Sequence, residues 1–345
     1  MKKNILFSIG MVCLIFMIAV MPFKDAFAKE KVYNWRFMTS YTPGMYPLFK
    51  ELPSLIAKAT DGAIKLDVYY FGEHPFSGAD LWSATRDGKV QIGDCNAGYV
   101  GGIEPTIALP VLPFIVRFGW AQGEEVIKSL YPIFKEIMAK RWNMKPLCHF
   151  GWPGQSLLTT FPVVDRTSLK GKKIRVNSKP VGMAIAAAGA APITMSWGEV
   201  YTGLQRGIID GASGSISGAK GTRWQDVCKH ITRWQWVAVD TNFLSVNLDA
   251  LNKLPQNVRT AFLKAMAEFG KRQAQFNIDF DYKAMGWSVD RMGCTIYPSM
   301  LDIEAEIYKA LTPMYQEEAA KDPEYGQKVL NIIRKSNESW ATKHK

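Results

Sequence analysis

The feature that most constrains the fold is a repeated order of segments, strand-helix-strand-helix-strand. Tyr33-Asn34-Trp35-Arg36-Phe37-Met38 alternates polar and apolar residues and predicts a first strand. Residues 48–60 place Leu48, Leu52, Leu55 and Ile56 on one helical face, and Asp61-Gly62 ends it. A second strand follows at 64–70, a helix at 79–86 stopped by Gly88, and a short strand at 90–94. The order recurs: strand 172–176, Ala-rich helix 180–188, strand 192–195, helix 199–207 and strand 208–212. Each run predicts a mostly parallel, helix-covered sheet. Two such runs predict a two-lobed α/β molecule with a ligand cleft between the lobes. Residues 255–291 form the longest periodic stretch, with Val258, Phe262, Met266 and Phe269 at helical spacing. Its length, about 50 Å at 1.5 Å per residue, predicts a brace across both lobes. Cys294-Thr295-Ile296-Tyr297 predicts one more strand, and helices fill the rest, interrupted at Asp322-Pro323.

The first residues predict export. Lys2 and Lys3 precede an apolar run from Ile5 to about Pro22, and Ala26-Phe27-Ala28 leads into Lys29, Glu30 and Lys31. These are the parts of a secretory signal peptide, residues 1–28, with cleavage after Ala28 and a periplasmic location. Removing it lowers the net charge from +11 to +9 by taking away three lysines and one aspartate. The remaining positive charge is dispersed, with no basic run beyond Lys170-Gly171-Lys172-Lys173, which fits an anionic ligand better than nucleic acid. Cys95, Cys148, Cys228 and Cys294 are widely and irregularly spaced; export permits disulfides such as Cys148–Cys228 or Cys95–Cys294, and free buried thiols are the expectation adopted. The histidines show no metal-ligand spacing, and the hydrolase, zinc-protease and phosphate-loop motifs are all missing. Neither a metal nor a cofactor is called for.

Several segments, in order, resemble the DctP-type substrate-binding proteins of tripartite ATP-independent periplasmic (TRAP) transporters. They are Leu169-Lys170-Gly171-Lys172-Lys173-Ile174-Arg175-Val176 and the run from Glu199 through Gln205-Arg206-Gly207-Ile208-Ile209-Asp210-Gly211. Arg86-Asp87-Gly88, Leu109-Pro110-Val111-Leu112-Pro113-Phe114, and 243–255 with Asn247, Asp249 and Leu254-Pro255 fit as well. The resemblance implies a periplasmic-binding-protein-like fold of two lobes bridged by a long helix. It places lobe 1 at 29–151 plus 240–272 and lobe 2 at 152–239 plus 273–345. It further implies capture of a small organic acid by lobe closure and delivery to the two membrane permease subunits. A sensor docking on a signalling receptor would share fold and pocket. An exported enzyme would need a nucleophile and base, for which Ser156 with His149 is the one loose pairing.

Arg175 is the first candidate for binding. A charge between Ile174 and Val176 needs a reason, because burying an unpaired charge is costly. A ligand carboxylate would match the planar guanidinium fork; a structural ion pair on an edge strand is the competing explanation. The resemblance assigns this arginine to the ligand carboxylate. Two departures from the family pattern stand out. Gln155 occupies the place where sialic-acid-binding members carry a second arginine, and Gly214, in Asp210-Gly211-Ala212-Ser213-Gly214-Ser215, lies near the usual asparagine. Ser213 and Ser215 join Gly214 as candidates. One fixed positive charge predicts a monocarboxylate. Trp152, Trp197, Trp234 and Trp236 are expected beside the cleft and suggest an aromatic or keto acid. Tyr41, Asn96, Tyr99, Asp240 and Asn242 are expected on loops or crossovers and complete the set. The chain is expected to act as a monomer.

Overall fold

In the computed structural model, which describes residues 31–76, 78–234 and 236–343, both repeated runs fold into sheets. The expected signal peptide, residues 1–28, lies outside the described residues. The strands are β1 (Tyr33–Met38), β2 (Ile64–Tyr69), β3 (Ile92–Asn96), β4 (Met144–Pro153), β5 (Ser156–Thr159), β6 (Lys173–Val176), β7 (Ala191–Thr194), β8 (Gly211–Gly214), β9 (His230–Thr232), β10 (Val239–Asn247) and β11 (Thr295–Tyr297). They pair as two sheets, β2-β1-β3-β10-β4 and β11-β9-β5-β8-β6-β7. Each sheet is the floor of one lobe.

The expectation of mostly parallel sheets is corrected. The strands read from the sequence do pair in parallel, β1 with β2 and β3, and β6 with β7 and β8. The unread strands bring in the antiparallel pairings, although β9 also runs parallel to β11. β10 runs against both β3 and β4, and β5 against both β8 and β9. They escaped notice because each sits beside a direct crossing between sheets, where no helix intervenes to give a strand-helix-strand rhythm. β4 passes into β5 through Gly154-Gln155 alone, and β9 returns to β10 through residues 233–238. The Gln155 amide donates to the Val237 carbonyl at 3.1 Å, so the two crossings are tied together.

The predicted brace is a helix over Gln256–Asp290. It runs along β4 and against the short helix Ile216–Gly221, and so serves both lobes. At Gly270 the approach to β4 is so close that an added Cβ would stand 2.2 Å from the Cys148 Cβ. Asn277 Nδ2 donates to the Gly151 carbonyl at 2.8 Å. Farther along, Asp281 accepts from the Ser217 amide at 3.0 Å and from its hydroxyl at 2.7 Å. The last two helices, Leu301–Ala320 and Gly326–Lys343, pack on Lys179–Ala187 and Gly119–Trp142 respectively, and their break brackets Asp322-Pro323.

All four expected thiols are buried and free. Burial pushes those of Cys148 and Cys228 up to about 12, which leaves them protonated and inert. Among the described residues no helix is long and apolar enough to cross a membrane.

Candidate ligand-binding site

Arg175 lies on β6 between β8 and β7, an interior strand of its sheet rather than an edge. Alternation along the strand turns Ile174 and Val176 into the apolar core and Arg175 to the opposite face. Its side chain is 1% exposed. Nε donates to the Met195 carbonyl at 2.9 Å and Nη1 to the Ser213 carbonyl at 3.1 Å. Nη2 is buried and has no partner. Among the described residues no carboxylate lies within ion-pair distance, so a structural ion pair does not account for this arginine. The guanidinium lies over Trp197, 5.4 Å from the ring centre.

Trp197 is itself stacked on Trp224, with centroids 4.3 Å apart at 29°. The stack presents its ring edges to Gly214, where a Cβ would stand 2.8 Å from Trp224 and 2.9 Å from Trp197. Glycine here makes room for the platform that holds the guanidinium. The departure from the family pattern at this position has a packing reason.

The facing wall belongs to the other sheet. Asn96 ends β3, and Asp240 and Asn242 lie on β10, so these three sit on central strands and not on the loops expected. Asn96 Nδ2 donates to Asp240 Oδ1 at 2.8 Å, while its own Oδ1 accepts from the Gly98 amide at 2.8 Å. Gln155 Nε2 approaches Asp240 Oδ2 at 3.4 Å. The Tyr41 hydroxyl donates to Asn242 Oδ1 at 3.5 Å, and Asn242 Nδ2 is buried without a partner. The Tyr41 ring meets Trp197 edge-on at 6.3 Å, which joins the two walls.

Burial dominates the electrostatics of this wall. It pushes the Asp240 carboxyl up to about 6, against the opposing pull of Asn96 and Arg175. Beneath it burial lifts Asp94 to about 7, although Thr39 donates to it at 2.7 Å. The Tyr99 phenol is raised by burial and drawn back by the Arg175 charge. A carboxyl-rich wall therefore faces a single guanidinium.

The structure brings together Arg175, Trp197, Ser213, Gly214, Tyr41, Tyr99, Asn96, Asp240, Asn242 and Gln155. It sets three candidates apart. Trp152 lies in the aromatic core and donates from Nε1 to the Tyr46 hydroxyl at 2.5 Å. Ser215 caps a helix by accepting from the Gly218 amide at 3.1 Å. Trp236 supports the site from behind, donating to Ser213 Oγ at 3.2 Å and packing on Trp234.

Two participants were missed by the sequence reading. Trp224 reaches the site only through the stack. Asn177 directly follows the last residue of β6, two positions beyond Arg175. It borders a cavity of about 360 Å³ with Gly98, Tyr99, Lys179, Met183 and Met314. A recess bounded by Asn177, Gln155, Asp240 and Val237 adjoins it.

The lobes also meet directly. A Cβ on Gly44 would stand 2.2 Å from the Gly221 carbonyl oxygen, and one on Gly198 would stand 2.2 Å from the Phe71 ring. Only glycines allow approaches this close.

Comparison with known proteins gives the same reading. Residues 40–322 match the family described as bacterial extracellular solute-binding protein, family 7 (DctP). A solute-binding protein of Chromohalobacter salexigens is 27% identical over 248 residues, 70% of this chain and 72% of that one. The solved structure of DctP7, a Bordetella pertussis extracytoplasmic solute receptor binding pyroglutamic acid, superposes with a TM-score of 0.81 at 22% identity, covering 88% of this chain and all of that one. A TRAP periplasmic solute-binding protein from Roseobacter denitrificans with bound β-D-glucuronate gives 0.78 at 22% identity, over 87% and 99% of the two chains. The chain belongs to bacterial extracellular solute-binding protein family 7, the periplasmic solute-binding proteins that serve the membrane permeases of TRAP transporters.

Proposed function

We propose that this protein captures a small monocarboxylate with an aromatic or otherwise apolar body, and hands it to a TRAP permease as a monomer. The lobes, 29–151 with 240–272 and 152–239 with 273–345, close over the ligand, and no catalytic step is involved. The observation that carries this reading is the buried Arg175 Nη2 with no partner. A buried donor left unmade costs roughly 1–3 kcal/mol, more when charged, and a ligand carboxylate removes that cost with a charge-assisted bond. Asp240 and Asp94 on the facing wall disfavour a second carboxylate, which supports a monocarboxylate over a dicarboxylate. The Trp197–Trp224 platform and the Tyr41 ring supply the apolar surface for the ligand body. The solved relatives that bind pyroglutamic acid and β-D-glucuronate hold ligands with one carboxylate each, which agrees with this charge.

The test is a thermal-shift screen of the mature protein against monocarboxylates, aromatic keto acids, sulfonates and dicarboxylates. A ligand at one hundred times its Kd adds about 2.7 kcal/mol of stability. Stabilisation by dicarboxylates alone, or by no acid, rejects the reading. Arg175→Lys is expected to lose most of the affinity, because an ammonium cannot reproduce the bidentate fork.

A further inference from the structure

Arg175 accounts for the carboxylate of a ligand; the wall on the other sheet has a chemistry of its own. Asp240 is held there by two amides that have little freedom. Asn96 cannot flip its side chain, since its Oδ1 is engaged by the Gly98 amide, so its NH2 must point at Asp240 Oδ1. Gln155, anchored at its own backbone by the Val237 carbonyl, offers only a long contact to Oδ2. An ionised carboxylate accepts up to about four hydrogen bonds, so Asp240 keeps acceptor capacity, most of it on Oδ2. It borders a recess, with Asn177 and Gly98 alongside, that adjoins the cavity of about 360 Å³. Yet Asp240 makes no ion pair with Arg175, whose Nη2 likewise stays unengaged. The two charges feel each other without touching.

A guest that lies between them faces a donor at one end and an acceptor at the other. An apolar group pressed against Asp240 would strip water from its lone pairs and return nothing. An N–H or O–H group there would replace that water bond for bond.

We propose that Asp240 is the second pole of the site and accepts a hydrogen bond from an N–H or O–H group at the end of the ligand remote from its carboxylate. The ligand class narrows from monocarboxylates in general to monocarboxylates with a distal donor. This rests on the reading that Arg175 holds the carboxylate. Asn96 and Gln155 are then positioning residues, and Asp240 sets specificity.

Matched pairs of acids test it on the mature protein by thermal shift and titration calorimetry. Suitable pairs are 4-hydroxyphenylacetate with phenylacetate, 4-hydroxybutyrate with butyrate, and a five-membered lactam acid with its lactone. The donor-bearing member of a binding pair is expected to bind tenfold or more tightly. Asp240→Ala should bring that ratio close to one by weakening only the donor-bearing acid. Asp240→Asn, which keeps the shape and one acceptor, should retain part of the preference and serves if the alanine variant does not fold. Equal binding within pairs, or a preference that survives in Asp240→Ala, overturns the proposal. If Arg175→Lys weakens both members of such an equal pair, the carboxylate reading stands and only the second pole falls. Binding indifferent to Arg175→Lys, or no stabilisation by any acid of the set, overturns both.

Discussion

Two arginines in this molecule show the difference between a charge used to hold the chain together and one kept for something else. Arg141, near the end of the helix Gly119–Trp142, is about one-third exposed and surrounded by carboxylates. Nη1 donates to Glu104 at 3.1 Å and to Asp322 at 2.9 Å, and Nη2 donates to Asp322 at 3.1 Å and Glu324 at 3.0 Å. Burial opposes the charge on Asp322, but the bonds from Arg141 and Thr106 and the Tyr325 amide prevail and pull its carboxyl down to about 2. Arg175 is far more buried; it donates to two carbonyls, neighbours the Tyr99 phenol, and leaves Nη2 without a partner. The better-buried cation is the less satisfied one. Since burial raises the cost of an open donor, that inversion marks the site.

The largest expected effect comes from breaking the open corner. Arg175→Ala should raise the Kd of a stabilising acid by about a hundredfold or more, on the order of 3 kcal/mol, measured by calorimetry. The ligand-free protein should melt no lower than the wild type, because a poorly satisfied buried charge has been removed. Arg141→Ala should do the reverse. Loss of a partly exposed ion-pair network should cost about 2 kcal/mol in urea unfolding, with acid affinity unchanged in the folded protein.

A smaller effect, about tenfold in Kd, is expected for Gly221→Ala. The new Cβ would stand 2.6 Å from the Gly44 carbonyl oxygen and 2.7 Å from the Met45 Cα, and neither backbone can swing aside. Melting of the ligand-free form should change little, because the proposed opening of the lobes relieves this contact without unfolding.

A separate effect is in pH, where raising the Asp94 carboxyl from 3.8 to about 7 corresponds to roughly 4 kcal/mol. Asp94 and Asp240 hold their protons more tightly folded than unfolded, at about 7 and about 6 against 3.8. Their contribution is complete below pH 4 and is lost as pH rises through 6 to 7. Asp322 has the opposite sign: its contribution is present above pH 4 and fades as pH falls towards 2. Asp94→Asn should therefore flatten the decline in unfolding free energy between pH 5 and 7.5, and Asp322→Asn should leave that decline in place.

Much of the second lobe was legible because its logic is local. Ile174 and Val176 flank Arg175 on a short strand, so a charge in need of a partner could be read directly. The brace helix was legible for the same reason, since 35 residues of helical spacing ask for nothing distant. Gly214 shows the limit. Its absent side chain was noticed, but its reason is the Trp197–Trp224 stack, which joins residues from separate segments.

The residues by themselves determined the strand-helix rhythm and the arginine set between two apolar strand residues, because each follows from short-range periodicity. Only the tertiary structure decided what faces that arginine. Asp240 and Asn96 are 144 positions apart, and they meet because β10 pairs antiparallel with β3. That pairing depends on the chain crossing between sheets and returning, which no local pattern records. The cation is a property of one strand, whereas the wall opposite it is a property of the whole fold.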